Sequence, residues 1–391
     1  MENQRVLEQI LFYLKMEYFE LAIRRFEKIY PTALNKQSLT SSYALALLSS
    51  GRAEQCLELL SNALNNKSID ATSLQLYVML LNRDGLYEKA RDCLETYMSF
   101  VSGPKMQEAL MHRIALDLAN SRKSGAEKGF EQLLESPGSA IKDQACWLFN
   151  GLFDFKSNLN IASWPKVTET FYDGGIKYVP GKSERLVIIL PNSRLSQGID
   201  NIRRWYSELS ILDAGKLFIF DYKLLSCLSG LWGMQGDFDE QATNLKHLIA
   251  SLGYREVVMI AVSGAGLSAA VLGCKIKAKG LLSFGGLTHV NESWVEPKYK
   301  SLVRIMSQKI SDGFPEDLTS YLRNFDFIIH QHYASRSLTD TKCADLLSGL
   351  KNCQKYPYPI NHHPVINWLK ANQLLTPVFT NFYNAIGWRN S

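Results

Sequence analysis

Residues 255–273 read REVVMIAVSGAGLSAAVLG. Six apolar residues, Val257 to Val262, run unbroken into Ser263, and small, helix-compatible residues come immediately after it. A short apolar run rich in β-branched side chains is the pattern of a strand covered on both faces. With no linker before the helix, the backbone must turn sharply at the serine. Ala261, Gly264, Ala265 and Gly266 leave room for neighbouring chain to come close there.

The same pattern recurs through the second half of the chain. RLVIIL (185–190), KLFIFD (216–221), EVVMIAV (256–262), KGLLSF (279–284) and FDFIIHQ (325–331) all read as buried strands. Between the second and third lies DEQATNLKHLIASLG, with Ala242, Leu245, Leu248 and Ile249 at helical spacing and Gly253 closing the helix. Strands alternating with helices imply a mostly parallel sheet covered by helices. The site of such a sheet lies beyond the carboxyl ends of its strands, which is where Ser263 falls.

The first third is organised differently. EYFELAIRRFEKI, GRAEQCLELLSNA and GLYEKARDCLETY start at Glu17, Gly51 and Gly85, in equal steps of 34 residues. Each carries a small residue (Ala22, Cys56, Ala90) four positions before a large one (Phe26, Leu60, Leu94), so that antiparallel helices can approach closely beside a filled gap. Pro31 marks where the first unit's helix should stop. This period resembles the tetratricopeptide family over about residues 3–101, with a degenerate further helical pair in MHRIALDLANSRKSGAEKGFEQLLES. The departures are Glu17 at the usual glycine position and Cys56 at the usual alanine. The resemblance implies a solenoid that docks a protein partner or a second copy of the chain. An unrelated helical bundle is the alternative.

The expected organisation is an α-helical repeat solenoid over residues 1–136, a connector over 137–183 and an α/β domain over 184–391. The connector is rich in Pro, Gly and Ser and is expected to form a helical piece, then a loop or hairpin. Residues 286–323 read as an insertion that could close over the site as a cap, with Trp294, Tyr299 and Met306 as wall residues.

Composition narrows the function classes. Of the 391 residues, 46% are hydrophobic and 21% charged, and the formal net charge is only +5. This describes a soluble globular protein with no nucleic-acid stripe, no membrane span and no signal peptide. The seven cysteines are scattered and never form a CxxC, which argues against disulfides and zinc and for a reducing, cytoplasmic setting. No cofactor or metal is expected.

The turn at Ser263 and the order of elements resemble the α/β-hydrolase superfamily, specifically its bacterial esterase-like members, across about residues 184–391. Ala261 and Ala265 stand where that family's G-x-S-x-G pattern has glycines. The resemblance implies a serine nucleophile, then an acid, then a histidine in chain order. A serine hydroxyl needs a histidine to take its proton and a carboxylate to fix that histidine's tautomer. His363 is the expected base, six residues before Leu369, with His362 as the alternative. Asp340, in the loop entering a helix, is the expected acid, with Asp345 behind it and plain helix capping as the competing role. Gly264 and the Asn192–Ser193 backbone are the expected oxyanion donors, although the family's His-Gly loop is missing. Ser268 reads as a packing residue, and His330 and His332 as core or rim residues at a strand end.

The expectation is therefore a serine hydrolase acting on an ester, thioester or amide of a small acylated substrate. By analogy with the esterase-like members, that substrate is an acylated sugar of a surface polysaccharide. The alternatives are a non-catalytic scaffold with a degenerate hydrolase domain and an acyltransferase on the same fold.

Overall fold

The computed structural model describes residues 18–33, 37–149, 165–172, 174–191, 213–221, 233–289, 318–361 and 365–388, and shorter pieces that include 205–210 and His363. Contacts divide the chain into two compact units, Met1–Ala145 with Asn291–Ser307, and Cys146–Val290 with Gln308–Ser391.

In the first unit the helices are α1 (Phe19–Ala33), α2 (Gln37–Ser49), α3 (Ala53–Asn65), α4 (Ala71–Arg83), α5 (Tyr87–Met98), α6 (Pro104–Ala119) and α7 (Lys123–Glu135). Each packs on the next. The sequence period survives in the helix starts, since α1, α3 and α5 begin in equal steps of 34 residues (19 to 53 to 87). Ala22, Cys56 and Ala90 are fully buried, as are Leu60 and Leu94, with Phe26 nearly so. Helix α1 continues to Ala33, past Pro31 rather than stopping there.

The turns into α3 and α5 are built alike. Gly51 and Gly85 take φ of 76° and 78°, a left-handed conformation that glycine adopts without a Cβ penalty. The next N–H groups, those of Arg52 and Leu86, donate back to Leu47 O and Leu81 O, both at 2.8 Å, closing the preceding helix in a Schellman arrangement. A buried carboxylate ties α5 to α6. Tyr87 donates its hydroxyl to Asp117, Arg91 Nε lies 3.7 Å from the same oxygen, and the Arg122 guanidinium covers the Tyr87 ring at 4.4 Å.

In the second unit, strands β1 (Glu169–Phe171), β2 (Ile176–Val179), β3 (Arg185–Leu190), β4 (Gly215–Ile219), β5 (Glu256–Val262), β6 (Gly280–Phe284), β7 (Ile328–Ala334) and β8 (Cys353–Tyr358) form one sheet. Their order is β1-β2-β4-β3-β5-β6-β7-β8. Pairing is antiparallel from β1 to β2 to β4 and parallel everywhere else. Around them run α9 (Phe238–Ser251), α10 (Ala265–Lys275), α11 (Leu318–Leu322), α12 (Leu338–Leu346), α13 (Val365–Ala371) and α14 (Leu375–Ala385). A further helix, α8 (Ala140–Phe149), precedes β1. This mixed, mostly parallel sheet fits an α/β-hydrolase-like fold.

Three details differ from the sequence reading. Where the connector is expected to form a loop or hairpin, it forms the antiparallel pair β1 and β2, which extends the sheet rather than lying outside it. Strand β7 is displaced toward the C-terminus, because Asn324 and Phe325 donate back to Tyr321 O and Leu322 O and so belong to the turn closing α11. His330 and His332 consequently sit inside the strand. The edge strand β8, CQKYPY, has no sequence signature because Lys355 and Pro357 interrupt any apolar run; Pro is tolerated on an edge, where its missing N–H costs no ladder bond.

His330 and His332 are 1% and 2% exposed. The His332 ring stacks on Tyr356 at 4.4 Å and lies 5.5 Å from Phe284, and its Nδ1 is 2.8 Å from the Tyr358 hydroxyl. Burial lowers His330 to about 4, while burial and then the neighbouring His330 lower His332 to about 3. Both lie below the 6.5 of a free imidazole, so on acidification the unfolded chain binds protons first. Their contribution to stability is complete above about pH 6.5 and erodes as pH falls toward 4 and then 3. Thermal melts should show Tm falling across this window, and the double variant His330→Phe, His332→Phe should fall less steeply than the parent.

Candidate active site

Strand β5 ends at Val262 and α10 begins at Ala265, which leaves Ser263 and Gly264 to make the whole turn. Ser263 adopts φ of 57°, a left-handed conformation that is uncommon for a residue with a side chain and that persists only where its surroundings enforce it. Here Ser263 N donates to Phe284 O at 2.9 Å, and Ser263 O accepts from Gly266 N at 3.1 Å and Leu287 N at 3.0 Å. The turn is thus fixed by its own helix and by the end of β6.

Of the four small residues that the sequence places around the turn, Gly266 is the one that meets neighbouring backbone most closely. Ala261 and Ala265 are buried with their methyl groups accommodated. The close approach is at Gly266, where an added Cβ would lie 2.6 Å from Gly286 Cα and 2.8 Å from Leu287 O. Two glycines face each other across the turn, and the second, in the SFGG run after β6, is a signal the sequence reading passed over.

The turn leaves Ser263 half-buried, and its Oγ is 2.6 Å from His363 Nε2. His363 lies just ahead of α13 and is tied to it by Val365 N donating to His363 O at 2.7 Å. On the far side of the ring, Nδ1 is 2.7 Å from Asp340 Oδ1. The side chains of His363 and Asp340 are 18% and 1% exposed. With its proton on Nδ1 facing the carboxylate, the imidazole presents Nε2 as an acceptor to the Ser263 hydroxyl.

Asp340 sits in the first turn of α12 without being its N-cap. Ser337 holds that position, its Oγ accepting from Asp340 N at 3.3 Å. The Asp340 carboxylate is free of capping and is steadied by Ala334 N at 3.2 Å and Ser337 Oγ at 3.3 Å. Neither supporting contact was visible in sequence, although Ser337 three residues before Asp340 is a capping pattern. Asp345 is directed elsewhere, with Lys355 Nζ 3.4 Å away in a surface ion pair.

Among the described residues, the Gly264 N–H has no hydrogen-bond partner. It occupies the N-cap of α10, where backbone donors are open to an anion. His362, Asn192, Ser193, Trp294, Tyr299 and Met306 lie outside the described residues. Ser268 is fully buried within α10. Among the described residues, no group of three His, Cys, Asp or Glu could hold a metal ion, and no helix is long and apolar enough to cross a membrane.

No family model matches the chain, and no curated protein matches it. Among solved structures it is similar to one titled "Structure of MenH from S. aureus", with a TM-score of 0.31 and 11% identity over 55% of this chain and 99% of that one.

The Gly266–Gly286 approach generates a direct test. Gly266→Ala forces backbone apart at the turn and should lower stability by about 1–3 kcal/mol, the usual cost of overpacking, as read by urea unfolding.

Proposed function

We propose that the second unit is a serine hydrolase that cleaves an ester, thioester or amide through an acyl-enzyme. The observation that carries this reading is the unbroken series from Ser263 Oγ to His363 Nε2, at 2.6 Å, and from His363 Nδ1 to Asp340 Oδ1, at 2.7 Å. In the proposed reaction Ser263 Oγ attacks the acyl carbon while its proton passes to His363 Nε2. Asp340 holds the imidazole in the required tautomer and stabilises the imidazolium. The Gly264 N–H, with a second donor from the Asn192–Ser193 backbone, stabilises the oxyanion. His363 then protonates the departing alcohol, thiol or amine, and a water molecule, deprotonated by the same ring, releases the acid.

The scaffold alternative draws on the missing His-Gly loop, which falls outside the described residues, and on the alanines at 261 and 265. Both alanines are buried, and the Ser263–His363 contact forms beside them, which favours the catalytic reading. The equal spacing of α1, α3 and α5 supports a tetratricopeptide-like role for the first unit, docking a protein partner or a second copy of the chain. All seven cysteines are free, and none but Cys353 is even half-exposed, which supports a reducing, cytoplasmic setting. Acylated sugars are the first substrates to examine, in line with the esterase-like resemblance.

A fluorophosphonate probe and short-chain nitrophenyl esters test the proposal. Labelling should vanish in Ser263→Ala, and ester turnover should fall by about 10²–10⁴-fold in His363→Ala. A folded wild-type protein that neither labels nor turns over esters sinks the hydrolase reading and leaves the scaffold. A protein that labels, but turns over esters only when an alcohol or amine acceptor is added, is an acyltransferase.

A further inference from the structure

The four residues Gly285–Thr288, immediately after β6, touch every element that carries a member of the Ser263–His363–Asp340 series. Leu287 N donates to Ser263 O at 3.0 Å. Gly286 lies against Gly266, a Cβ on it falling 3.1 Å from Gly266 Cα, and its carbonyl accepts from the buried Gln331 Nε2 at 3.2 Å. Thr288 Oγ1 donates to Cys343 O at 3.1 Å, one turn beyond Asp340 on α12. Gly285 N donates to His332 O at 2.7 Å.

Gly285 itself is the floor beneath the histidine. Its φ is +59°, and a Cβ built there would stand 3.1 Å from His363 Cε1, 3.1 Å from His363 O and 3.2 Å from His363 Nδ1. These are shorter than ordinary van der Waals contacts of 3.4–4 Å; two of them are to the ring that makes both hydrogen bonds of the site, and the third is to the backbone of the same residue. Nδ1, one of the crowded atoms, is also the atom that bonds Asp340, so added bulk at 285 pushes on the ring where its alignment with Asp340 and Ser263 is set.

Resting on the serine-hydrolase reading above, we infer that Gly285 is a positioning residue for His363 and that Gly285–Thr288 is a single brace setting the geometry of all three side chains. Its action is steric and local: the missing Cβ lets the imidazole lie flat enough to reach Ser263 and Asp340 together. No proton is transferred to or from this segment.

The test compares Gly285→Ala with Gly253→Ala. Gly253 has φ of +83° and no atom within 4 Å of an added Cβ, so it carries the same left-handed backbone strain with no ring to push. Two readouts are taken on folded protein: the fluorophosphonate labelling rate of Ser263, and the proton NMR signal of His363 Nδ1–H, identified by its loss in His363→Ala. Gly285→Ala should slow labelling by about a hundredfold, as a small misplacement of a catalytic group does, and should shift the Nδ1–H signal. Gly253→Ala should change neither. In a His363→Ala background, Gly285→Ala should produce no further loss. If Gly285→Ala does not fold, Gly285→Asn adds the same Cβ to a backbone that tolerates positive φ and takes its place.

Equal labelling in Gly285→Ala and Gly253→Ala overturns the inference, as does an undiminished effect of Gly285→Ala in the His363→Ala background. If the wild type never labels, the hydrolase reading fails separately and the NMR signal alone decides. A signal moved by Gly285→Ala but not by Gly253→Ala then supports the positioning role, and an unmoved signal refutes it.

Discussion

Ser263 holds a left-handed backbone, a conformation that costs on the order of 1–3 kcal/mol for a residue with a side chain, and three backbone hydrogen bonds keep it there. One comes from its own helix. The other two join the turn to the end of β6 and the residues just beyond. The sharpness of the bend, the aim of the hydroxyl toward His363 and the Gly264 N–H left unpartnered among the described residues all follow from that enforced conformation. So does the need for Gly266, since the neighbouring chain can brace the turn only by coming within reach of its backbone.

The sheet delivers the other participants to the same place. Strands β5, β6 and β7 run parallel, β5 and β6 ending in step and β7 two residues further on, so the segments leaving their carboxyl ends lie on the same edge of the sheet. Beyond β5 comes the serine turn, beyond β6 the glycine pair, and beyond β7 the start of α12 with Asp340. His363 arrives from a different direction, between β8 and α13, and is the only member of the series that does not come directly after one of these three strands. It is also more exposed than Asp340, as the proposed proton exchange with substrate requires.

How much of this could be read in advance depends on which signals are local. Strands β3 and β5 declared themselves at their full length because both faces are buried and nearly every position is apolar. Strand β8 did not, since an edge strand with Lys355 and Pro357 has no such pattern, and β1 and β2 were too short to stand out from their turn-rich surroundings. Ser263, His363 and Asp340 were singled out through the chain order implied by the hydrolase resemblance and through residue chemistry, and the structure brings the three side chains together. The competing role for Asp340 as a helix cap was settled only by seeing Ser337 occupy it. The spacing of Gly51 and Gly85 foretold the helix starts of the first unit. The demand for glycine at 266, by contrast, comes from residues some twenty positions away in the chain (266 to 286), and no local pattern encodes such a meeting.

One hydroxyl, that of Ser337, both begins α12 and steadies the carboxylate behind the histidine. Order in a helix terminus and alignment of the His363 ring are therefore coupled here. This helix start is buried, Ser337 and Asp340 being 2% and 1% exposed, so neither bond is exchanged readily for one to water. Loosening of α12 at this end would release Asp340 from its register with His363 while the strands of the sheet stayed paired, so the alignment of the three side chains rests on one hydroxyl more than on the sheet that delivers them.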